Sequence, residues 1–446
     1  MSTPTFQEFN PKFIPWQFES IKYINSFDYT SGICEVMFSG SVGSAKSVNA
    51  AHILVRHVIE NPGARVLVVR RALKDLKRTF WGLILKHLAD IPQLVLNYNK
   101  SEMKITLVNG SEIIGDSYDD MNLEKFRSLE LSMGVIEEAT ESNRELYDAI
   151  KMRLGRIVKV RKNIMLAITN PDSPSHYLYE YFIQNPTQGK KVFYSLTHQN
   201  KFLPEWYVEN LRRDLSQKMA LRMLEGQWVD LDSERIYYGY SKEKNYSDTS
   251  YKFDLSKPVV LCHDFNRAAG KPMSAAVGQY IDGHFHIARA FLVYGGRTQD
   301  IMDEISSKGF LDLNDHVYVY GDATGSHNDT RNNRSDWDII KQYIQNYQRK
   351  DGRKNVLFFE VPKANPPIRA RHNVANAVFC NDLGEVQATI YKDANQADKG
   401  FLLTKPKKGA DLIEDDSLAE QHVTTAITYW MHRVKTVLKP GAIVIK

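Results

Sequence analysis

The stretch Val36 to Ser47, VMFSGSVGSAKS, constrains this chain more than any other part of it. An apolar run passes into a turn that contains Gly40 and Gly43 and closes on Lys46-Ser47, ahead of a helical pattern over about 46–59. A strand that turns sharply and restarts as a helix aims several backbone N–H groups at one point. A lysine and a hydroxyl beside them add a cation and a metal-facing oxygen. The layout is that of a phosphate loop. The backbone of Gly40, Ser41, Val42, Gly43, Ser44 and Ala45 would wrap the β-phosphate of ATP, Lys46 would reach the β and γ oxygens, and Ser47 would hold Mg²⁺. One position departs from Gly-x-x-x-x-Gly-Lys-Ser/Thr: Ala45 stands where the second glycine is usual, so the backbone there has to accept a Cβ. The plain alternative is an ordinary strand, turn and helix.

A Mg-ATP site needs a second acidic element on a neighbouring strand. Leu131 to Glu138, LSMGVIEE, is a short apolar run that ends in two carboxylates. Glu137 is the candidate for the metal shell and Glu138 for polarising the attacking water. The same residues read alone as a strand entering a solvated helix start, where carboxylates suit the helix dipole. Strand patterns at 36–39, 66–69, 104–108, 112–115, 133–136 and 164–169 alternate with helical ones at about 46–59, 73–88 and 144–154. That rhythm predicts a mostly parallel sheet flanked by helices, with ligands at the carboxyl ends of the strands. Both the loop and the acidic pair fall at such ends.

With 446 residues, 43% hydrophobic and 25% charged, the chain is long enough for two or three domains with separate cores. A formal charge of +5 tolerates nucleic acid without demanding it. Cys34, Cys262 and Cys380 are too scattered for a metal site and read as free thiols. The segment MSTPTFQEFNPKF has neither a basic flank nor an apolar stretch, and no run of eighteen apolar residues occurs, so a soluble intracellular protein without membrane contact is expected.

Past an amphipathic helical stretch between Pro204 and Trp228, a polar, tyrosine-rich passage from Tyr237 to Tyr251 reads as a linker. Strand-like runs at 258–263, 274–280 and 284–293 then follow in succession and predict an antiparallel meander. A helix near 298–308, a strand at 316–320, a helix near 336–347 and a strand at 356–361 come next. Here carboxylates sit where apolar strands stop: Asp264 after VVLCH and Asp322 after HVYVYG, with Glu414-Asp415-Asp416 opening the last helix. Two-metal nucleases need acids from separate elements to hold two Mg²⁺ or Mn²⁺ ions about 4 Å apart. The alternative is that each aspartate caps a turn. Asp264 resists it, because an acid inside an apolar strand is costly to bury without a cation. Alternation turns His263 to the opposite face, and His327 and His422 could approach the acids but read rather as ordinary polar residues.

In this order the two constellations resemble the large terminase subunit of tailed bacteriophages. The resemblance rests on Gly40 to Ser47, on Glu137-Glu138-Ala139 and on Thr169-Asn170-Pro171, which is similar to the coupling motif that senses the γ-phosphate. It extends to Pro15-Trp16-Gln17, similar to the adenine-reading glutamine element, to Gly226-Gln227-Trp228-Val229, and to His263-Asp264-Phe265 with Gly321-Asp322-Ala323 as the first two nuclease motifs. The family implies a RecA-like P-loop ATPase over 1–235, with a small lid at about 195–235, a linker at 236–256 and an RNase H-like nuclease over 257–446. It implies ATP and Mg²⁺, with Mn²⁺ an option at the nuclease site. Double-stranded DNA, a portal protein, a small terminase subunit and a ring of like subunits are the implied partners.

Where many relatives carry an aspartate in a segment like Ser-Asp-Ala-x-x-Tyr, this chain has Thr424-Thr425-Ala426-Ile427-Thr428-Tyr429. The third nuclease acid is therefore expected at Asp416, then Asp415, then Glu420. An arginine finger is expected among Arg144, Arg153 and Arg156, with Arg153 preferred. Lys405-Pro406-Lys407-Lys408 and Arg369 to Arg371 are candidate DNA-phosphate contacts. Two other readings compete: a cellular helicase-nuclease of DNA repair, for which the aromatic single-strand motifs are lacking, and an assembly scaffold with a degenerate ATPase, motivated by Ala45.

Overall fold

The computed structural model describes residues 13–118, 123–231, 235–265, 271–327, 334–407, 413–415 and 417–437. The chain forms two compact units, Met1–Val208 with Ala220–Asp230, and Glu209–Met219 with Leu231–Lys446. The stretch read as a lid is thus shared between them.

The first unit is built on β1 (Cys34–Gly40), β2 (Arg65–Arg70), β3 (Val95–Asn99), β4 (Lys104–Leu107), β5 (Glu112–Ser117), β6 (Met133–Glu137), β7 (Ile164–Thr169) and β8 (Lys190–Ser195). They run in the order β3-β4-β5-β2-β6-β7-β1-β8, parallel from β5 to β8, with β3 and β4 antiparallel at one edge. Parallel strands are apolar on both faces because helices cover both. In β1, Val36 and Phe38 join one core layer with the helices Pro15–Ser26 and Lys46–Glu60, while Met37 joins the other with the helix Arg144–Lys151. Glu35 is the exception within that strand. Its buried carboxylate takes hydrogen bonds from Tyr147 and Tyr181 at 2.8 Å and from Lys151 at 2.7 Å, which replace the water it gives up. The helix expected over 73–88 breaks at Thr79 into Leu73–Arg78 and Phe80–Ala89, since Thr79 is not helical (φ −110°, ψ −97°).

The second unit carries β9 (Tyr246–Ser247), β10 (Val259–Asp264), β11 (Met273–Ile281), β12 (His284–Val293), β13 (His316–Gly321), β14 (Val356–Phe359) and β15 (Ala388–Tyr391), in the order β14-β13-β10-β11-β12-β15-β9. The antiparallel meander β10 to β12 is as expected, and β13 and β14 add in parallel beside β10, which is the RNase H-like order. Alternation sends Val260 and Cys262 into one core with the final helix, Glu420–Val437, and Val259 and Leu261 into the other. The linker expected at 236–256 is corrected here. Tyr237 and Tyr240 are fully buried in the second unit's core and Tyr246–Ser247 pairs with β15, because large rings gain more by burial than their hydroxyls lose when these find acceptors in Glu414 and Asp398. Among the described residues, no helix is long and apolar enough to cross a membrane.

Candidate functional site: two carboxyl-end constellations

The loop after β1 is shaped by two left-handed residues, Gly43 (φ 71°) and Ala45 (φ 65°). Such a backbone turns consecutive N–H groups inward. Ala45 is also the residue before the helix Lys46–Glu60 and supplies no side-chain cap, so the first-turn N–H groups stay available to an anion. Gly40 is required for closeness: a Cβ there would lie 2.1 Å from the carbonyl oxygen of Ser195 on β8. The Lys46 ammonium is gathered by the carbonyls of Gly40 (2.8 Å) and Ser41 (2.7 Å), by Oδ1 of Asn170 (2.8 Å) and by the Ser44 hydroxyl (3.3 Å). Burial pushes its pKa down to about 8, against the pull of the Glu138 carboxylate.

Several expected residues converge on this loop. Asn170 reaches it from the end of β7, beside β1. Trp228 donates Nε1–H to Ser39 Oγ at 3.0 Å, and Gly226 (φ 64°) lies against Gly40 and Ser41, so the 226–229 motif covers the loop. Gln17 is buried, with Nε2–H on the Ala45 carbonyl (3.2 Å) and Oε1 on the Ile14 N–H (3.0 Å). It braces the first helix to the phosphate loop, and reading a base edge would draw on its remaining donor and lone pair. Thr197 and Asn200 were not foreseen. Thr197 donates to the carbonyl of Val42 at 2.6 Å and Asn200 to that of Gly43 at 2.6 Å, from a polar turn with no motif to mark it.

Glu137 ends β6, buried, and accepts from Thr79 (3.0 Å) and Arg70 (3.4 Å). Burial raises its pKa to about 7 despite Arg70, with Glu138 adding repulsion. Glu138 sits at φ 50°, ψ 54°, a left-handed conformation rare for a side-chain-bearing residue and common where a functional group is aimed. Thr169 ties this turn to the β7 end through Thr140 (2.8 Å). Arg70, which sequence reading passed over, was findable from its place at the carboxyl end of β2. Arg153 is a correction. Its Nη1 donates to the Arg127 carbonyl at 2.6 Å beside Leu131, at the amino end of β6. That is roughly 20 Å along the strand from Glu137 at about 3.3 Å per residue, out of reach of its own subunit's nucleotide loop. Arg144 pairs with Asp148 (2.8 Å) and lies over the Tyr181 ring.

In the second unit, β10 and β13 are parallel neighbours with His263 opposite Gly321, so Asp264 and Asp322 stand side by side at the carboxyl ends. Both are buried, and each acts on the Tyr429 hydroxyl of the final helix. Asp264 has its pKa raised by burial, with Asp322 adding repulsion while His422 and Arg371 oppose the shift. Asp322 also caps a turn: it accepts from the Thr324 N–H (2.7 Å), the Thr324 hydroxyl (2.6 Å) and Asn365 (2.6 Å). A carboxylate offers about four lone-pair positions, so capping leaves room for a cation. His263 faces the other way, stacked with Phe265 and edge-on to Trp337.

His422 corrects the reading of it as an ordinary polar residue, because its Nδ1 lies 3.3 Å from Asp264 Oδ2 while its buried Nε2 finds no partner among the described residues. Asp416 lies outside the described residues. Asp415 accepts from the Ser417 N–H at 3.0 Å, and among the described residues no group of three or more His, Cys, Asp or Glu side chains could hold an ion. The acid of that cluster which turns inward is Glu414, bound by Tyr237 (2.6 Å), His372 (2.9 Å), Thr425 (3.1 Å), Gln421 and Arg371. Burial alone would raise its pKa, but Arg371 and these donors hold it well below the carboxylate range. The residues fit a divalent ion in one respect: two buried, mutually repelling carboxylates are relieved by a cation, and Mg²⁺ is commonly held by one or two carboxylates with substrate phosphate and water supplying the rest.

The family of phage terminase large subunits matches residues 34–220. No curated protein sequence matches significantly. Among solved structures, the large terminase of a thermophilic bacteriophage superposes with a TM-score of 0.64 at 13% identity, over 96% of this chain and 99% of that one. The same protein in complex with ADP gives 0.62 at 14% identity over 96% and 99%, and in complex with ATP-γ-S 0.61 at 13% over 94% and 98%. Residues 34–220 thus match the family of phage terminase large subunits, within a chain of which 96% takes the fold of a large terminase.

Proposed function

We propose that this chain is the motor and nuclease subunit of a viral DNA-packaging machine, hydrolysing ATP in its first unit and cutting double-stranded DNA in its second. The observation that carries the reading is the pairing of a complete phosphate-loop constellation (Lys46, Asn170, Glu137, Glu138) with two carboxylates at adjacent strand ends (Asp264, Asp322) in one chain. In the first unit, the loop N–H groups and Lys46 would hold the triphosphate, Ser47 and Glu137 would hold Mg²⁺, and Glu138 would take the proton of the attacking water. A bound Mg²⁺ would supply positive charge to the phosphate oxygens. Lys46 would exchange the Asn170 side chain for phosphate, so the β7 end is free to report whether a γ-phosphate is present.

In the second unit, Asp264 and Asp322 would hold a divalent cation that orients the scissile phosphate, and His422 would add an imidazole nitrogen where many relatives use a carboxylate. A cation held there would supply Lewis acidity to the attacking water and to the departing 3′ oxygen. Imidazole suits Mn²⁺ better than Mg²⁺. His422→Ala is therefore expected to lower Mn²⁺-supported plasmid cutting by about 10-fold or more and Mg²⁺-supported cutting by less, in line with the usual cost of a lost ligand or its support. Equal losses with both ions would remove His422 from the metal shell.

The partners follow from the reading: duplex DNA, a portal protein on the procapsid, a small terminase subunit and further copies in a ring, in the cytoplasm of the infected host. The test is packaging itself. Procapsids, DNA and this protein should give ATP-dependent protection of DNA from added nuclease. Unwinding of a forked duplex without procapsids would favour the repair helicase-nuclease instead.

The left-handed Ala45 gives a further expected outcome. Its Cβ costs about 1–2 kcal/mol in that conformation, while glycine gives back part of this through a freer unfolded chain, about 0.4–1 kcal/mol. Ala45→Gly should therefore stabilise the first unit by about 0.5–1 kcal/mol, read as a higher urea midpoint for the transition that ADP shifts.

A further inference from the structure

Arg371, on the helix Ile368–Phe379, is 3% exposed and uses only part of its guanidinium. Nη2 donates to Glu414 Oε2 at 3.2 Å, and the guanidinium carbon lies 4.5 Å from the centre of the Tyr429 ring. Its Nε and Nη1 are buried and have no hydrogen-bond partner among the described residues. A buried cation with two unmet N–H groups is expensive, and such groups call for a ligand. Glu414 balances the charge through Nη2 and, with Tyr237, His372, Thr425 and Gln421 also donating to it, leaves Nε and Nη1 unmet. What the arrangement does accomplish is to hold a fixed guanidinium over Tyr429, two turns along the final helix from His422 and so on the same face as the imidazole that meets Asp264. Guanidinium is a planar fork that matches phosphate oxygens and does not lose its proton.

We propose that Arg371 is a catalytic residue of the nuclease site, donating an unmet N–H to a non-bridging oxygen of the scissile phosphodiester. The proposal rests on the nuclease reading above. In the hydrolysis, a water oxygen bonds to phosphorus and the P–O3′ bond breaks. The electron pair leaves with O3′, which takes up a proton, and the products are a 3′ hydroxyl and a 5′ phosphate. Arg371 exchanges no proton. It meets the charge that builds on the equatorial oxygens, on the side left weaker by Thr425 in place of an acid. Glu414 and Tyr429 position it.

The experiment compares full-length wild type, Arg371→Lys, the double variant Arg371→Ala/Glu414→Gln and Asp264→Asn in plasmid cutting with Mn²⁺, with Mn²⁺ affinity measured by calorimetry. The double change removes the charge on Glu414 together with its partner, and Arg371→Lys keeps a cation should the double variant fold poorly. Arg371→Lys and the double variant are expected to cut about 100-fold more slowly at saturating DNA with Mn²⁺ affinity retained. Millimolar guanidinium, but not tetramethylammonium, should restore the double variant. Wild-type turnover in both variants would overturn the proposal, as would a loss matched by an equal loss of Mn²⁺ binding with no rescue. If Asp264→Asn cuts normally, the nuclease reading falls and takes the proposal with it; if it is inactive while the Arg371 variants are normal, only Arg371 is dismissed.

Discussion

Replacing Lys46 with alanine is expected to reduce ATP hydrolysis by about 1,000-fold, or about 4 kcal/mol of transition-state stabilisation, while the rate of metal-dependent plasmid cutting is unchanged. The ammonium stands at the centre of four oxygens, one of them Asn170 Oδ1 at 2.8 Å, and is the one side-chain cation the loop itself presents. Without it, charge developing on the γ-phosphate would be met by backbone dipoles and Mg²⁺ alone. The fold should tolerate the loss, because burial already disfavours the charged lysine and pulls its pKa down to about 8. Steady-state phosphate release and supercoiled-plasmid nicking, measured on the same preparation, check both halves. ATP hydrolysis at the wild-type rate would dismiss the loop as the catalytic nucleotide site. Loss of cutting along with hydrolysis would dismiss the independence of the two centres.

Asp264→Asn is expected to act in the opposite sense: plasmid cutting falls by about 1,000-fold and ATP hydrolysis stays at the wild-type rate. Asparagine keeps the shape of the side chain but cannot neutralise a divalent cation. Asp264 has its pKa raised in the fold, first by burial and then by Asp322, so its ionised form at neutral pH opposes folding. The neutral amide removes that repulsion, and the melting temperature of the second unit should hold or rise in the absence of metal. A lower melting temperature together with partial activity would mean that Asp264 has a structural role and the metal-binding assignment would be lost.

The phosphate loop was legible because it is local: Gly40, Gly43, Lys46 and Ser47 lie within one turn of chain, and sequence spacing is nearly spatial spacing there. The acids Glu137, Asp264 and Asp322 were legible for a related reason. Each ends an apolar run, and the ends of parallel strands are where a sheet gathers polar groups. Arg153 misled because closeness in sequence to Glu137-Glu138 was taken for closeness in space, whereas a helix after β6 returns the chain to the amino ends of the strands. Tyr237 and Tyr240 misled because a polar, tyrosine-rich passage resembles a linker until the acceptors Glu414 and Asp398 are known.

What the sequence determined alone was where two constellations lie: a turn laid out as a phosphate loop and a pair of strand-end acids, each written by residues whose geometry the local backbone imposes. The tertiary structure decided which distant side chains join them. Asn170 on Lys46, Arg70 on Glu137, His422 on Asp264 and Arg371 on Glu414 are separated by 124, 67, 158 and 43 positions, respectively. No periodicity encodes such pairings, because they depend on strand register and on the angle at which each helix crosses its sheet. Those are set by the packing of whole apolar layers and not by any neighbouring residue.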